Sequence, residues 1–372
     1  MNHFIFHNVG QGLFYSGHLN NNGFNFIYDC GSDSAAKYLD NAIDNQLPSQ
    51  DIDFIVISHL HKDHISGLKR LMNNYNVKKI YLPYYGSGNT SLVKLLCAAA
   101  SIPDKQFIKG LSESEVREIF IVEYKFLYSF YDTQKNTEIS EKIEFIVESD
   151  NKKSDWSSPS YPEITIPYPN KLTVYWKFIM FNRTQSQSDL HKLNSKINSL
   201  ITTGAYSSID DVISNGDIGK ITQIYKSVFG ANHRKQNLTS TILIHYPMVE
   251  KPPFLFPYPC QFLCDRIEIH NRAASILTGD AEFDNILLQK MDQHLLASNC
   301  GFSIFQAPHH GAKTNWNSLT NTHKFIFSRY VVPCGIGRPN HPSKDLIRDL
   351  SILKTDAVSF ANELNQFEYF IT

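Results

Sequence analysis

The sequence predicts a layered α/β fold in which β-sheets pack between α-helices. In residues 4–100, apolar runs of strand length alternate with segments of helical spacing, which is the pattern of a layered α/β core. The chain has 372 residues, of which 42% are hydrophobic and 13% aromatic, so it can bury a large core. That length suits two ordinary domains or one elaborated domain. We predict one domain over residues 1–372.

The amino-terminal elements show the clearest patterns. Aromatic-rich alternation predicts a hairpin over 4–14 and 24–28, with Gly10 and Gly12 in the turn. Apolar spacing then predicts, in order, a helix at 34–45, a strand at 51–58, a helix at 66–74, a strand at 77–82 and a helix at 92–100. These elements provide the alternation on which the fold prediction depends.

The middle of the chain, from 111 to 236, is less regular, and we interpret it as a continuation of the sheet plus an inserted helical region. An apolar aromatic run covers 120–131, and a loop rich in Ser, Pro, Asn and Lys covers 150–169. The predicted strands here are 143–147 and 172–181, and the predicted helices are 188–201 and 209–229. Beyond this region, strands are predicted at 238–244, 266–269, 273–277 and 303–307, with a Pro-rich aromatic patch at 252–259.

Charge and cysteine content exclude some classes of protein. A formal net charge of −1 gives no indication of binding to nucleic acid or to a membrane surface, although a local basic groove is still an alternative. We expect no membrane span, because no apolar run approaches spanning length, and no signal peptide, because a strand begins at His3. The six cysteines are scattered, and Cys260 and Cys264 form only a lone CxxxC, so we expect buried free thiols in a cytoplasmic protein.

The strongest chemical signal is the run His-Leu-His-Lys-Asp-His at 59–64, directly after the apolar strand 54–58. Three imidazoles and one carboxylate lie within six residues, and these ligands suit zinc, manganese or iron. A helix would place neighbouring ligands on different faces, so we expect a tight loop to gather them. A surface loop that happens to carry histidines is the alternative interpretation, and the further motifs downstream argue against it.

Those further motifs make the chain resemble the metallo-β-lactamase fold hydrolases, whose signature is HxHxDH, and in particular their ComEC-type branch, named for the hydrolase domain of the DNA-uptake channel. The motifs are VGQG at 9–12, YDCG at 28–31, LTGD at 277–280, PHHG at 308–311, CGIG at 334–337 and NHP at 340–342. The resemblance implies an αββα sandwich of two mixed sheets flanked by helices. Region 111–236 is then an insertion that walls the active-site cleft.

The resemblance also implies a pair of divalent metal ions, zinc or alternatively manganese, with a shared hydroxide. His59 and His61 would hold the first ion, and Asp63, His64 and His310 the second. The further assignments concern four residues: Asp280 bridges the ions, Asp29 braces the loop from behind, Asp63 also orients the nucleophile or accepts its proton, and His309 lies beside the site, braced or contacting substrate. Two adjacent histidines cannot both point at one metal pocket without contortion, and relatives with a single Gly-His favour His310 as the ligand.

Two positions depart from the pattern or leave alternatives open. Relatives carry a histidine where this chain has Asn237, so the first site would have only a weak amide ligand or water there and lose its metal first. His233 is nearby but out of register. His341 resembles a residue on the substrate side of the site, and the alternative is a loop histidine that caps the helix from Ser343.

Three functional hypotheses follow. The first is a metal-dependent phosphodiesterase, a nuclease for DNA or RNA, with a partner protein or a local patch around Lys220, Lys226, Arg234 and Lys235 supplying the missing positive charge. A neighbouring ATPase or protease gene would indicate a multi-gene bacterial system such as phage defence. The second is a hydrolase of a small molecule, such as a cyclic nucleotide, ester or lactam. The third is a non-catalytic binding module on the same fold.

Overall fold

The computed structural model describes the chain in separate ranges, and the predicted helix 92–100, the predicted strand 266–269 and His233 lie outside them. The described residues are 2–19, 23–59, 61–82, 118–121, 128–129, 144–146, 163–167, 174–181, 187–204, 206–207, 211–212, 215, 217–229, 237, 240–247, 255–258, 274–282, 302–316, 329–353 and 358–371.

The elements in these ranges follow the predicted mixture of strands and helices. In chain order, the described strands are β1 (Asn2–Phe6), β2 (Phe14–Leu19), β3 (Phe24–Cys30), β4 (Asp51–Ile52), β5 (Phe54–Val56), β6 (Asn76–Val77), β7 (Lys79–Leu82), β8 (Glu118–Ile121), β9 (Tyr128–Ser129), β10 (Glu144–Ile146), β11 (Glu163–Pro167), β12 (Val174–Phe181), β13 (Ile242–Pro247), β14 (Leu255–Tyr258), β15 (Ala274–Leu277), β16 (Phe302–Gln306), β17 (Arg329–Pro333), β18 (Val358–Ala361) and β19 (Phe367–Ile371). The described helices are α1 (Ala36–Asn45), α2 (Lys62–Ile65), α3 (Leu68–Asn74), α4 (Gln187–Thr203), α5 (Ile218–Phe229) and α6 (Lys344–Leu353), with a 3₁₀ turn at Pro308–Gly311.

Two large mixed sheets contain most of these strands. Within the described ranges, the first sheet has the order β14-β19-β1-β2-β3-β5-β7-β8, and the second has the order β18-β17-β16-β15-β13-β12-β11-β10-β9. Each sheet has an antiparallel half and a parallel half. In the first sheet, β3, β5, β7 and β8 are parallel, and in the second, β15, β16, β17 and β18 are parallel.

The inner faces of the two sheets form one aromatic core. Phe4 and Phe26 from the first sheet and Trp176 and Phe178 from the second are almost completely buried in it. The rings of Phe26 and Phe178 meet edge to face at 4.8 Å, an arrangement that adds to the gain from apolar burial. The sheets therefore pack face to face through large side chains.

Helices cover the outer face of each sheet. Helices α1, α3 and α4 bury leucine and isoleucine side chains in one cluster with the outer face of the first sheet. Helix α6 buries Leu346 and Leu350 against the outer face of the second. The predicted layered α/β architecture, with two mixed sheets between helices, is confirmed. Of region 111–236, the described strands β8–β12 extend the two sheets, and the wall around a cleft stays a prediction.

Two predicted strands differ in extent. The predicted strand 51–58 divides into β4 and β5 because Asp53 turns the chain between them. The Asp53 carboxylate accepts a hydrogen bond from the backbone N–H of Asn25 at 2.7 Å and one from the Lys78 ammonium at 2.7 Å. The predicted hairpin did not include β2. Ser16, Gly17 and His18 interrupt the apolar alternation of this segment, which forms a strand by pairing with β1 and β3.

Two segments predicted as irregular contain strands. The predicted loop 150–169 includes β11, which pairs with β12, and the Pro-rich patch includes β14, which pairs with β19 at the edge of the first sheet. Pro257 is tolerated there because an edge strand leaves one side of its backbone unpaired. In both cases pairing with a neighbouring strand outweighs local composition.

Cys30 and Cys334 are buried free thiols, as predicted, and the other four cysteines lie outside the described residues. Burial raises the pKa of Cys334 to about 11, so this thiol stays protonated and unreactive near neutral pH. In the described part of the chain, no helix combines the length and the apolar character needed to cross a membrane.

His245 in the aromatic core makes the stability of the fold depend on pH. Its ring lies 5.1 Å from those of Phe4 and Phe26, and burial lowers its pKa from 6.5 to about 3. Between these values the unfolded chain takes up a proton that the folded chain excludes, so stability falls as the pH falls from about 6.5 to about 3. One such proton changes the unfolding free energy by about 1.4 kcal/mol per pH unit.

We therefore expect His245→Phe to remove this contribution. Urea unfolding of the metal-free wild type and variant at several pH values should show that the unfolding free energy of the variant increases relative to that of the wild type as the pH falls below 6.5. Parallel stability curves for the two proteins would contradict this assignment.

Candidate metal centre

The predicted site residues meet where strands of both sheets end. Asp29 lies near the end of β3, and the 59–64 run follows β5, which is parallel to it. In the second sheet, Asp280 and the two histidines at 309 and 310 follow β15 and β16, which are also parallel. Parallel strands present their carboxyl ends at one edge of a sheet, so each sheet brings its polar loops together there. The side-chain distances below show that the two edges face each other.

The 59–64 run is partly helical. His59 follows β5, but Lys62–Ile65 form the single helical turn α2, with His61 at its amino end. The prediction of a loop throughout was therefore wrong for Asp63 and His64. Their backbone is held close to the sheet, since the backbone oxygen of Asp63 accepts a hydrogen bond from Leu13 N at 3.0 Å. A Cβ at Gly31 would collide with the backbone of His64, so only glycine allows this approach.

Asp29 lies completely buried behind the histidines. Its carboxylate accepts hydrogen bonds from the Ser58 N–H and hydroxyl, both at 2.6 Å, and from Nδ1 of His64 at 2.7 Å. Because a carboxylate only accepts, His64 carries its proton on Nδ1 and turns Nε2 toward the site. The Ser58 hydroxyl in turn lies 3.0 Å from Nδ1 of His59, which fixes that ring in the same way. Asp29 therefore holds the ring of His64 directly and that of His59 through the Ser58 hydroxyl.

Loss of this carboxylate should be costly. Asp29→Ala leaves the buried Ser58 N–H without its acceptor, removes the carboxylate that holds His64, and places alanine at a φ of +56°. We expect a decrease in the unfolding free energy of about 3–5 kcal/mol, and a metal affinity about 10–100-fold lower. Chemical unfolding and metal titration measure these effects.

Asp29→Asn is the matched control, because asparagine tolerates positive φ and keeps a carbonyl acceptor while removing the charge. It should retain more of the stability than Asp29→Ala. Wild-type stability and metal affinity in Asp29→Ala would exclude the bracing role.

Asp280 lies between the histidines. Its Oδ1 is 3.1 Å from Nε2 of His64, and its Oδ2 is 3.4 Å from Nε2 of His59. Gly279 has φ +53°, and a Cβ there would lie 2.5 Å from that of Ser58, so glycine allows the turn to approach the histidine loop. The buried Gln306 holds this turn by accepting the N–H groups of Thr278 and Gly279 at 2.8 and 2.9 Å.

His310 faces Asp63 across the site. Its Nδ1 donates to the backbone carbonyl of Pro333 at 2.9 Å, and its Nε2 lies 3.0 Å from Oδ2 of Asp63. The same Nε2 lies 4.0 Å from Oδ1 of Asp280. His310, like His64, therefore uses Nδ1 for support and presents Nε2 to a carboxylate.

Two groups of side chains could each hold a metal ion. They are His59, His64 and Asp280 in one group and Asp63, His64 and His310 in the other. Nε2 of His64 and Oδ1 of Asp280 are buried without a hydrogen-bond partner, although they face each other at 3.1 Å. Buried polar atoms usually have partners, and a divalent cation would satisfy both of these. The donor set, imidazoles and carboxylates without thiolate, fits zinc or manganese.

The electrostatics of the metal-free site are those of a cation site. Burial alone would lower the pKa of His64, but Asp280, Asp29 and Asp63 outweigh it and raise the pKa well above the usual range. Burial would raise the pKa of Asp63, but His64 and His310 outweigh it and hold the pKa far below the usual range. A proton on imidazole thus supplies positive charge that a metal ion would replace, and metal binding should release protons.

His309 is turned toward the same centre by an unusual backbone. His309 and His310 have φ values of +47° and +54°, so this adjacent pair adopts the contortion that the sequence argument required. Nδ1 of His309 lies 2.8 Å from Oδ1 of Asn315, and Nε2 lies 3.5 Å from Oδ2 of Asp280. Asn315, like Ser58 and Gln306, carries no signal in the sequence that marks it as part of the site.

The two other predicted positions also lie at the site. Asn237 is buried, and its Nδ2 is 3.3 Å from Nδ1 of His309. The ring of His341 lies 5.3 Å from that of His309 and 6.3 Å from that of His310. Ser343 caps α6 by accepting the N–H of Leu346, so His341 does not have the capping role that was its alternative. Its Nδ1 lies 3.2 Å from the backbone oxygen of Pro339.

Comparison with known families supports this interpretation of the site. Residues 15–88 match the family model of the metallo-beta-lactamase superfamily. The matched segment contains most of β2, all of β3 and β5, and the histidine loop, and it indicates a metal-dependent hydrolase. Asp280 and the histidines at 309 and 310 lie beyond it and are connected to the loop by the distances above. No curated protein matches the chain.

Proposed function

We propose that this protein is a metal-dependent phosphodiesterase that cleaves DNA or RNA with two divalent ions, zinc by preference and manganese as the alternative. The observation that carries the proposal is the pair of ligand groups that share His64, with Asp280 of one group 4.0 Å from Nε2 of His310 in the other. Two ions bound there would polarise a phosphodiester and lower the pKa of a water molecule. The resemblance of the PHHG and NHP motifs to the ComEC-type branch supports the choice of nucleic acid.

Asp280 and Asp63 would have different roles because their side chains differ in solvent exposure. The Asp280 side chain is 1% exposed and would only hold the ions, whereas the Asp63 side chain is 15% exposed and can meet a substrate. We assign Asp63 a second role, which is to orient the nucleophile or accept its proton. His310 and His64 hold the low pKa of Asp63, so this carboxylate is ionised at neutral pH.

Cationic side chains at the rim support a phosphate substrate. Lys62 belongs to the histidine loop, and its side chain is 60% exposed. Arg338 is also exposed and donates to the backbone oxygen of Asp33 at 2.9 Å, while Lys62 pairs with the Asp33 carboxylate at 3.2 Å. Asp33 therefore places both cations on one side of the site. Both can donate to phosphate oxygens, and His341 adds a donor when its ring is protonated, since Nδ1 faces the Pro339 carbonyl.

The experiment is a cleavage assay on single- and double-stranded DNA and RNA with added Zn²⁺ or Mn²⁺. We expect cleavage that a chelator abolishes and that declines steeply as salt rises, because several phosphates are neutralised on binding. A net charge of −1 favours the alternative, a hydrolase of a compact substrate such as a cyclic nucleotide, ester or lactam. Hydrolysis of such a substrate with little response to salt, and no cleavage of nucleic acid with either metal, would establish that alternative.

His341→Ala tests the substrate side of the proposal. His341 lies beside His309 and His310 but not between the carboxylates, so we expect turnover to fall at least about 100-fold, as for loss of one preorganised donor. Metal content should stay at the wild-type level. A variant that loses metal, or one that keeps full turnover, would remove His341 from the substrate side.

A further inference from the structure

We propose that His309 is a metal ligand of the first site, which the resemblance builds on His59, His61 and Asp280, and that it takes the place of the histidine that relatives carry at the position of Asn237. The inference rests on the proposed metal chemistry and adds a ligand that the sequence argument placed outside the coordination sphere. It also assigns Asn237 a positioning role.

The hydrogen bonds of His309 leave Nε2 free to bind a cation. Nδ2 of Asn315 donates to the backbone oxygen of Asp280 at 2.7 Å, so Oδ1 of Asn315 is the atom that faces Nδ1 of His309. An amide oxygen only accepts, and therefore His309 carries its proton on Nδ1. His64 and His310 have the same arrangement, with Nδ1 donating away from the site. A ligating histidine usually has this second hydrogen bond.

Nε2 of His309 points at the oxygen that His59 also faces. It lies 3.5 Å from Oδ2 of Asp280, and Nε2 of His59 lies 3.4 Å from the same atom. Nδ1 of His61 lies 2.9 Å from Nε2 of His59. Nε2 of His309 and Nε2 of His59 thus face one carboxylate oxygen, and His61 adjoins His59. Three imidazoles and one carboxylate are the usual number and type of ligands for zinc.

The strained backbone of the 3₁₀ turn directs the side chains of His309 and His310 to different carboxylates. A positive φ is rare for a residue with a Cβ, and here it occurs at two adjacent residues, His309 and His310. Surrounding contacts hold this conformation, since the His309 N–H donates to the Gly279 carbonyl at 3.0 Å and Ser343 N–H donates to the Gly311 carbonyl at 2.9 Å. The consequence is that His310 faces Asp63 while His309 faces Asp280.

Asn237 approaches the other side of the His309 ring. Its Nδ2 is 3.3 Å from Nδ1, the ring nitrogen that is not directed at Asp280. Asn237 is almost completely buried. Because Nδ1 of His309 donates to Asn315, the Asn237 amide makes a packing contact with the ring and no hydrogen bond to Nδ1. The amide then positions a ligand and is not itself the weak ligand of the first site.

Metal binding distinguishes these roles without any measurement of activity. Purified wild type reconstituted with Zn²⁺ should hold two ions, and His309→Ala should hold one. The affinity of the first site for Zn²⁺ should fall by more than about 100-fold in the variant, which is the upper end for loss of a supporting residue. Competition with a chromophoric chelator measures both, and the Co²⁺-loaded proteins should differ in their visible absorption. Asn315→Ala should weaken the same site by about 10–100-fold.

Two further variants serve as control and rescue. His341→Ala removes a neighbouring imidazole that faces neither carboxylate, and it should retain both ions. His309→Ala combined with Asn237→His returns a histidine to the relatives' position and should recover the second ion. Thermal unfolding of the metal-free proteins shows whether each variant is folded.

Two ions bound by folded His309→Ala with wild-type affinity would overturn the role of His309 and leave the proposed hydrolase intact. Absence of metal from reconstituted wild type would overturn both proposals.

Discussion

Asp280→Asn is expected to abolish metal binding at both sites while leaving the protein folded. Oδ2 of Asp280 faces His59 at 3.4 Å, and Oδ1 faces the shared ligand His64 at 3.1 Å and His310 of the second group at 4.0 Å, so one substitution removes negative charge beside both groups. Asparagine keeps the shape of the side chain and loses the charge. Metal content after dialysis should fall from two ions to none, and hydrolysis should fall at least about 100-fold.

A carboxylate remote from the site provides the control for Asp280→Asn. Asp345 at the start of α6 pairs with Lys313 at 2.8 Å and contacts none of the histidines above. Asp345→Asn should therefore keep both ions and full activity. Retention of either ion at wild-type affinity in Asp280→Asn would show that Asp280 does not bridge.

Asp63→Ala is expected to abolish activity and to remove the ion held with His64 and His310. The side chain of Asp63 contacts His310 at 3.0 Å and His64 at 3.8 Å, whereas its backbone makes the hydrogen bond to Leu13 that supports the fold. The substitution therefore removes a ligand without removing a structural contact. Circular dichroism should be unchanged, metal content should fall to one ion, and cleavage should be lost.

Asp40→Ala is the matched control for Asp63→Ala, because Asp40 lies on α1 and pairs only at the surface with Arg70 in the described contacts. It should leave metal content and cleavage unchanged. Full cleavage by Asp63→Ala would refute both the ligand role and the catalytic role of this carboxylate.

The sequence predicts the ligands that lie in local patterns. His59, His61, Asp63 and His64 follow an apolar strand within six residues, and Asp280 and His310 follow strands of their own. Strand ends carry functional side chains because the flanking apolar run fixes where the chain leaves the core. A motif of this kind is detectable without knowing what its strand pairs with.

The supporting residues could not be predicted in this way. Asn315 and Gln306 act through hydrogen bonds to a turn about 30 residues earlier in the chain, and no spacing rule connects them. The division of the predicted strand 51–58 likewise depends on Asp53 contacting Asn25 and Lys78. Such contacts exist only after the sheets have formed.

By itself, the sequence determined the class of fold and the chemical type of the site, since apolar periodicity and a dense histidine run are properties of neighbouring residues. The tertiary structure decided which oxygen of Asp280 each imidazole faces, and that His309 and His310 turn to different carboxylates. The reason is physical. A side chain's direction depends on backbone torsions and on hydrogen bonds from distant strands, and the two consecutive positive φ values at 309 and 310 are held by contacts with residues 279, 315 and 333.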